Sequence, residues 1–396
     1  MSKQRKERRS NRRIRPKALT AAVALLLVIA ACGGGGTTET TATDDPGVTP
    51  TTAEPGGPTT TAEPGATTTS AEPAEMVSLE VTLAGAAELT TAPLFVADAL
   101  GFFEEEHLEV EFLPAGGGGN AAAILLGGDA PMGSFTASHA FTAAAEGQFM
   151  PILAPMAVGY QGLFFMVNAD VAAERGLDPD APLSERLKNL EGLTVGISSP
   201  GSTTDNLARL VATEAGLDPD SQITIVPLGG VPEATDAMVE GRVDAAISVL
   251  PVSAGAEAEG AIALFDFGQD FESLNVVIFS AILANDSWLA DNRDTAVRFL
   301  TAVARALDAI EEDPAAAYGA AYEPHFSEAV PEQELYDNSW PRLSFGSSEE
   351  WGLPDELLIG TYENQVRDQL GITIDGFDPS MVADQSVVAD ALERLP

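Results

Sequence analysis

From Met76 onward, short strand-like segments alternate with helix-like segments, and this alternation constrains the fold more than any other feature of the chain. Such an order predicts parallel or mixed sheets covered by helices, which is the α/β class. Pro93 suits the first turn of a helix, where no backbone N–H is needed. In the first series the predicted strands are 79–83, 108–113, 131–135 and 150–154, and the predicted helices are 93–100, 120–126 and 137–146.

A second series of the same kind begins at Leu163. Its predicted strands are 163–167, 194–197, 223–227 and 245–249, and its predicted helices are 203–215 and 233–240. One more strand is predicted at 276–283, after which the chain is mostly helical, most clearly at 293–310. That helix places an apolar stripe on one face. Two series of this length predict two α/β lobes.

The N-terminus carries the features of a secretion signal rather than of a folded domain. Residues 1–17 are strongly basic, and residues 18–31 form an apolar run that is too short to span a bilayer comfortably. The run ends in the sequence IAACG at 29–33, which resembles a bacterial lipobox and makes Cys32 the expected lipidation site. An uncleaved N-terminal anchor with an incidental cysteine stays open as the alternative. Both interpretations place the bulk of the chain outside the cytoplasm, attached to the membrane.

Residues 32–75 have low complexity, with four glycines and near-repeats such as TTTAEPG and TTTSAEP. Large apolar side chains are nearly absent, so the segment cannot offset the entropy of ordering, and we expect a disordered tether. Cys32 is the only cysteine of the chain. Disulfides and zinc-thiolate sites are therefore excluded.

The charge of the chain is divided unevenly. Nine of the 20 Lys and Arg residues lie in residues 1–17, so residues 32–396 carry 11 basic and 59 acidic groups, a net charge of about −48. Such a surface repels phosphates and anionic lipid headgroups, which excludes nucleic acid as a partner. The 45% hydrophobic and 20% charged fractions exclude a fully disordered chain and a polytopic membrane protein.

Five segments in order carry a resemblance to a known family. The first is APLFVADALGFFEEEHLEVEFLP at 92–114, and the others are LEGLTVGISSPGSTTD at 190–205, GGVPE at 229–233, EGRVDAA at 240–246 and the long helix from Arg293. Together they resemble the ABC-transporter solute-binding proteins for sulfonate, taurine, nitrate and thiamine-pyrimidine uptake, the NMT1/THI5-like type. With the lipobox and tether in front, the chain is similar to the lipoprotein form of these proteins.

The resemblance implies a fold and partners. The fold is a two-lobed periplasmic-binding-protein type II clamp with two crossover strands, expected near 160–167 and 275–283. Lobe 1 would comprise 76–162 and 278–396, and lobe 2 would comprise 163–277. The implied partners are a small-molecule ligand and the permease and ATPase subunits of an importer. We expect a monomer without cofactor or metal.

In doubly wound sheets, ligands bind beyond the carboxyl ends of the strands, and three such loops lie in the first lobe. Glycines in the second loop let backbone N–H groups approach a ligand, and Asn120 is expected to cap the next helix. For the glycine loop at 116–120, a flexible surface turn stays open as the alternative. For Phe135, the alternative is an ordinary position in the core. The candidate ligand-binding residues are Glu88, Thr90 and Thr91; Gly117, Gly118 and Asn120; and Ser134, Phe135 and Thr136.

The second lobe offers a helix N-terminus as a binding element. Ser202 with Asp205 three residues later predicts a capping box, and the helix start exposes N–H groups to an acceptor atom. A capped helix without a ligand is the alternative. Tyr160 lies beside a crossover and would either close over a ring or pack in the hinge. The candidate residues here are Tyr160, Gly201, Ser202, Thr203, Thr204 and Glu233.

The sequence favours a binding protein over an enzyme. His107, His139 and His325 show no metal-ligand spacing, and no G-x-S-x-G motif is present. Thiamine-pyrimidine synthases and menaquinone-pathway dehydratases are similar to this clamp. The synthases need a lysine for pyridoxal phosphate and a cysteine-rich motif, whereas Lys188 is the only lysine after Lys17. A ligand-sensing surface lipoprotein without a transport role stays open.

Charge also bears on the ligand. Residues 76–174 contain no Lys or Arg, and Arg209 is expected to point to solvent or the hinge. Glu88 and Glu233 lie in or near the loops of the expected cleft. A small dense anion would have to rely on helix N-termini against this negative field. A neutral or cationic nitrogen-containing molecule, for example a thiamine-type pyrimidine, is therefore favoured over a sulfonate or nitrate.

Overall fold

The computed structural model describes residues 75–86 and 88–395 of the chain. The predicted signal segment, Cys32 and nearly all of the predicted tether lie outside the described residues. Two five-stranded mixed sheets with flanking helices confirm the predicted fold class. The strands are β1 Val77–Leu83, β2 Leu108–Pro114, β3 Met132–Thr136, β4 Ile152–Val158, β5 Leu163–Val167, β6 Thr194–Ile197, β7 Thr224–Pro227, β8 Ala245–Val249, β9 Ile262–Asp266 and β10 Ile278–Ala284.

Fifteen α-helices are assigned in the described ranges. They are α1 Ala92–Ala99, α2 Phe102–Glu105, α3 Gly118–Gly127, α4 Ser138–Ala145, α5 Ala169–Arg175, α6 Leu183–Arg186, α7 Thr203–Glu214, α8 Val231–Val239, α9 Val252–Ala258, α10 Phe267–Asp270, α11 Asp286–Glu312, α12 Pro314–Ala321, α13 Gln333–Ser339, α14 Asp355–Thr361 and α15 Gln385–Glu393. Two π-helical segments, Tyr322–Phe326 and Tyr362–Arg367, continue α12 and α14. None of the described helices combines the length and the apolar character needed to cross a membrane.

The two sheets repeat one arrangement. The first has the order β2-β1-β3-β10-β4, in which β1 pairs in parallel with β2 and β3, and β10 runs antiparallel to β3 and β4. The second has the order β7-β6-β8-β5-β9, in which β6 pairs in parallel with β7 and β8, and β5 runs antiparallel to β8 and β9. The chain crosses between the sheets twice, before β5 and before β10. Each crossing therefore ends in an antiparallel strand inside the sheet that it enters.

Aromatic side chains fill the core around the first sheet. The rings of Phe103 and Phe299 stack with centroids 4.9 Å apart, and both side chains are almost fully buried. Phe299 lies on the buried face of α11, the long helix predicted at 293–310. This helix begins at Asp286, earlier than predicted, because the Asn285 side chain caps it by accepting from the Trp288 N–H at 3.0 Å. A break in helical geometry at Asn292 separates that extra stretch from the rest.

Candidate ligand-binding site

A cavity of about 260 Å³ lies between the two sheets, just below the range of about 300–1,000 Å³ that is usual for small-molecule sites. Its walls come from the carboxyl ends of parallel strands in both sheets, the position at which doubly wound folds bind ligands. The first sheet contributes Ala84, Gly85, Ala86, Glu88, Pro114, Gly116, Gly117, Gly118, Thr136 and Phe279, and the second contributes Leu163, Ser198, Ser202, Thr203, Thr204, Gly229, Gly230, Val231, Pro232, Glu233, Ile247, Ser248 and Val249.

Glu88 is the acidic group on the first-sheet side. Glu88 follows β1. Its carboxylate lies against the backbone of Gly85 and fills the space that a side chain at residue 85 would need, since a Cβ there would lie 2.3 Å from Oε1 of Glu88. Burial raises the pKa of Glu88 to about 7, an effect that the Thr90 hydroxyl opposes. Thr90 and Thr91 are buried beside Glu88 but do not line the cavity. The Thr91 hydroxyl instead donates to the Glu88 carbonyl at 2.9 Å.

The glycine loop after β2 also reaches the cavity. Gly117 has a φ of +146°, and an ideal Cβ there would lie 2.5 Å from the Ser199 hydroxyl oxygen. A Cβ at Gly118 would lie 2.9 Å from Nε2 of His139. The loop is therefore held between a group of each lobe, and glycine is required for this approach.

The predicted capping role of Asn120 is wrong. Helix α3 begins at Gly118, with Gly117 as its N-cap, so Asn120 lies inside the first turn. Its side chain is exposed and donates to the Ala115 carbonyl at 3.0 Å. The N-terminus of α3 is thus left without a side-chain cap, and glycine residues alone form its cavity end.

On the second-sheet side, Ser202 caps α7 as predicted. Its hydroxyl accepts from the Asp205 N–H, while the Asp205 carboxylate accepts from the Gly201 N–H at 2.9 Å and not from the cap residue itself. The Thr204 hydroxyl oxygen accepts from the Ser198 N–H at 2.9 Å. Ser202, Thr203 and Thr204 line the cavity, whereas Gly201 does not.

Glu233 approaches from helix α8. It lies in the first turn of that helix, and its carboxylate covers the Cα of Gly230, the N-cap residue. The preceding Gly229 has a φ of +99°, a conformation that favours glycine. Its carbonyl oxygen would lie 3.0 Å from a Cβ at Gly116 of the opposite lobe. The two glycine loops therefore meet at one edge of the cavity.

Direct hydrogen bonds also join the two sides. The hydroxyls of Thr136 and Thr203 are hydrogen-bonded to each other across the cavity. The Leu89 N–H donates to the Leu250 carbonyl at 3.1 Å. Together with the glycine loops, these contacts show that the structure is a state in which the loops of the two lobes touch.

Three other candidate residues lie away from the cavity. Ser134 and Phe135 are buried in β3, where Phe135 packs edge-on against His139 with ring centroids 5.9 Å apart. Tyr160 is buried in the hinge, and its hydroxyl is hydrogen-bonded by the Gln365 side chain. The aromatic ring that does line the cavity is Phe279 on β10, which contacts Tyr160 at 4.7 Å between ring centroids. Sequence reasoning missed Phe279, although it lies within the expected crossover at 275–283.

Two carboxylates and the positive ends of three helices face the cavity. Among the described lining residues there is no Lys or Arg, and Glu88 and Glu233 are the acidic groups. Arg209 turns away and donates to Asp205 at 2.8 Å and to Asp220 at 2.7 Å. Helices α3, α7 and α8 begin at the wall, and their N-termini offer N–H groups to an acceptor atom.

His139 lies behind the glycine loop and carries no charge at neutral pH, because burial lowers its pKa to about 4. Within residues 75–86 and 88–395, no group of three or more His, Cys, Asp or Glu side chains is arranged to hold a metal ion. The cavity therefore offers carboxylates that accept hydrogen bonds and helix N-termini that donate them, and it can bind a molecule that carries both donors and acceptors.

The fold is shared with a solved periplasmic binding protein. The structure is similar to that of the periplasmic nitrate-binding protein NrtA from Synechocystis PCC 6803, with a TM-score of 0.63. The match covers 81% of this chain and 89% of that protein at 17% identity, and it shows the fold alone.

Two relatives are similar in sequence. A putative ABC transporter periplasmic binding protein from Brachyspira hyodysenteriae is 26% identical over 211 residues, covering 52% of this chain. The 4-amino-5-hydroxymethyl-2-methylpyrimidine phosphate synthase of Aspergillus parasiticus is 26% identical over 242 residues, covering 57% of this chain. The chain spans 58% and 65% of the lengths of these two relatives.

The resemblance seen in the sequence is confirmed by a family comparison. Residues 89–317 match the model of the family described as NMT1/THI5 like. That range begins beside the cavity residue Glu88 and extends into α12, so it contains the whole second sheet and most of the first. The chain belongs to the NMT1/THI5-like family.

Proposed function

We propose that this chain is the extracytoplasmic solute-binding component of an ABC importer, anchored through lipid on Cys32. The observation that carries the proposal is the cavity between the two sheets, whose walls come from strand-end loops of both lobes. A molecule held there contacts both lobes at once, so its binding favours the state in which they touch. A permease and its ATPase would then receive the molecule from this state.

The proposed ligand is a small neutral or cationic molecule that contains nitrogen, such as an aminopyrimidine. The Glu88 carboxylate accepts hydrogen bonds from amino groups, and the Phe279 ring offers a face or edge to a planar ligand. A bare anion would meet two carboxylates and no cationic side chain among the described lining residues. Helix N-termini stabilise an anion by about 0.3–1 kcal/mol each, which leaves such a ligand disfavoured.

Calorimetry tests this ligand class. The full-length chain is titrated with an aminopyrimidine, taurine and nitrate, in wild type and in Glu88→Gln. We expect the aminopyrimidine to bind and its affinity to fall about tenfold or more in Glu88→Gln, the cost of losing a charged hydrogen-bond partner. Glu80→Gln on the exposed face of β1 is the matched control and should bind like wild type. Tight nitrate or taurine binding that is unaffected by Glu88→Gln would contradict the proposed ligand class.

Closure is tested separately by small-angle scattering. The contacts between the glycine loops and between Thr136 and Thr203 define the closed state. We expect the radius of gyration to decrease when the ligand found by calorimetry is added. A radius that stays the same with saturating ligand would argue against ligand-driven closure.

The similarity to a pyrimidine phosphate synthase makes an enzyme the second candidate. The described lining residues include neither lysine nor cysteine, so they supply no side chain for a Schiff base or a thiolate. We therefore propose binding without chemical conversion. The chain should return an aminopyrimidine unchanged after prolonged incubation, as followed by mass spectrometry.

A ligand-sensing surface lipoprotein without a transport role is the remaining alternative. A genomic neighbourhood without permease and ATPase genes would favour that role over import.

A further inference from the structure

Closure of the two lobes encloses a carboxylate that has no cation to pair with. Glu88 of the first lobe lines the cavity, and the next residue, Leu89, donates its N–H to the Leu250 carbonyl of the second lobe at 3.1 Å. The lobes therefore meet directly beside Glu88. No Lys or Arg lines the cavity among the described residues, so no cationic side chain there neutralises this carboxylate when the lobes touch.

The groups around Glu88 on the neighbouring elements supply no positive charge either. The lining residues of β5 and β8 are uncharged, and the acidic group from α8, Glu233, is exposed, so water solvates it. On α7, Asp205 accepts from Arg209 at 2.8 Å, and neither side chain lines the cavity. His139 lies behind the glycine loop and is neutral, because burial lowers its pKa to about 4.

An ionised carboxylate without a partner is costly in an enclosed space, because it loses water and gains no opposite charge. The cavity has a volume of only about 260 Å³. Burial in the closed state raises the pKa of Glu88 to about 7. Below that pH a proton removes the charge, whereas above it the carboxylate is ionised, and parting of the lobes returns it to water.

We propose that Glu88 keeps the empty cleft open above neutral pH, and that a proton or a cationic ligand must neutralise it before the lobes close. This inference rests on the proposed solute-binding function and adds a regulation of the same site. A cationic ligand takes the place of the proton, whereas a neutral ligand closes the cleft with a proton on Glu88. The empty chain therefore does not present the closed form to a permease above neutral pH.

Two spin labels report the state of the cleft without any ligand. Cys32 is the only cysteine of the chain, so Cys32→Ser provides a background for labels at Ala123→Cys on α3 and Asp236→Cys on α8, both at exposed positions. These helices begin next to the glycine loops that touch across the cleft, so the distance between the labels increases when the lobes part. Double electron–electron resonance on the full-length chain measures this distance near pH 5 and near pH 8.

We expect the wild-type sequence in this background to be mostly open near pH 8. Glu88→Gln should raise its ratio of closed to open molecules at least about tenfold at that pH, since glutamine carries no charge. Near pH 5 the ratios should agree within a few-fold, because a proton then neutralises Glu88 in the closed state. Comparison of the two chains at one pH also cancels any contribution from His139. Glu233→Gln is the matched control and should follow wild type, because Glu233 is exposed.

A higher closed fraction in Glu88→Gln cannot arise from loss of folding, and circular dichroism melting checks each labelled chain. The inference is overturned if wild type and Glu88→Gln give the same distance distribution near pH 8, or if Glu233→Gln closes the cleft as much as Glu88→Gln does. The experiment contains no ligand, so its failure leaves the calorimetric test of the proposed function intact. Conversely, absence of aminopyrimidine binding together with the expected distances would count against the proposed ligand class alone.

Discussion

Replacing Glu88 with glutamine should stabilise the folded chain above neutral pH and change its stability little in acid. Burial raises the pKa of Glu88 from 4.5 to about 7, with the Thr90 hydroxyl opposing the shift. The folded chain therefore holds this proton more tightly than the unfolded chain does. The stability contributed by the group is fully present below pH 4.5 and is lost as the pH rises through about 7.

The size of the effect follows from the two pKa values. At 1.36 kcal/mol per pH unit, the interval from 4.5 to about 7 corresponds to about 3 kcal/mol of lost stability at pH 8. Glutamine has nearly the same shape and carries no charge at any pH. Glu88→Gln should thus be more stable than wild type by up to about 3 kcal/mol at pH 8, and close to wild type near pH 4.5.

His139 acts in the opposite direction over nearly the same pH range. Burial lowers its pKa from 6.5 to about 4, so its contribution to stability is present above pH 6.5 and is lost as the pH falls toward 4. Between about pH 4.5 and 6.5 the two effects offset each other, and the wild-type profile alone reveals neither. The informative quantity is the difference between wild type and variant at each pH.

Urea unfolding followed by circular dichroism measures that difference between about pH 4.5 and 8. Glu80→Gln on exposed β1 serves as the control and should run parallel to wild type throughout. If the difference between Glu88→Gln and wild type stays constant across the range, the buried environment assigned to Glu88 is wrong.

Three further predictions address the core, a half-buried ion pair and the anchor. Phe299→Ala should lower the free energy of unfolding by about 3–5 kcal/mol, because the side chain is fully buried. Phe149→Ala is the control, since Phe149 is 37% exposed and its loss should cost well under that amount. Equal losses in the two variants would contradict the packing around α11. Arg186→Leu removes the ion-pair partner of the half-buried Asp270 and should cost about 1–3 kcal/mol in urea unfolding, and a loss near zero would mean that water replaces the guanidinium at Asp270. Cys32→Ser should abolish incorporation of labelled fatty acid, and persistent labelling would refute the lipobox.

The sequence predicted three strands of the second sheet most closely. Strands β5, β6 and β8 begin and end where predicted, because each is a short apolar run bounded by turn residues. Strand β9 was missed, since its residues IALFD follow a stretch of alanine, glycine and glutamate that also suits a helix. Helix α3 was predicted too short because glycine is a poor helix former, yet packing against the first sheet extends it to Gly118.

The site was predictable as a set of loops but not as a set of orientations. On β3, Phe135 and Thr136 are neighbours and so point to opposite faces, and the structure turns Thr136 toward the cavity and Phe135 into the core. The alternation alone does not say which face meets the other lobe. Phe279 was missed for the same reason, because its side of β10 depends on the pairing of that strand with β3 and β4.

The charges in the cleft favour a ligand with two different ends. Glu233 lies in the first turn of α8 and compensates the positive end of that helix. Helices α3 and α7 have their N-termini at the cavity and offer N–H donors to an acceptor atom on the ligand. Glu88 belongs to no α-helix start, and with a pKa of about 7 it is partly ionised at neutral pH. A molecule with an acceptor at one end and amino hydrogens at the other satisfies both sides, whether it is neutral or cationic, whereas a simple inorganic ion of either sign satisfies only one. A ring bearing nitrogen and an amino group meets this requirement, which is the physical basis for the proposed ligand class.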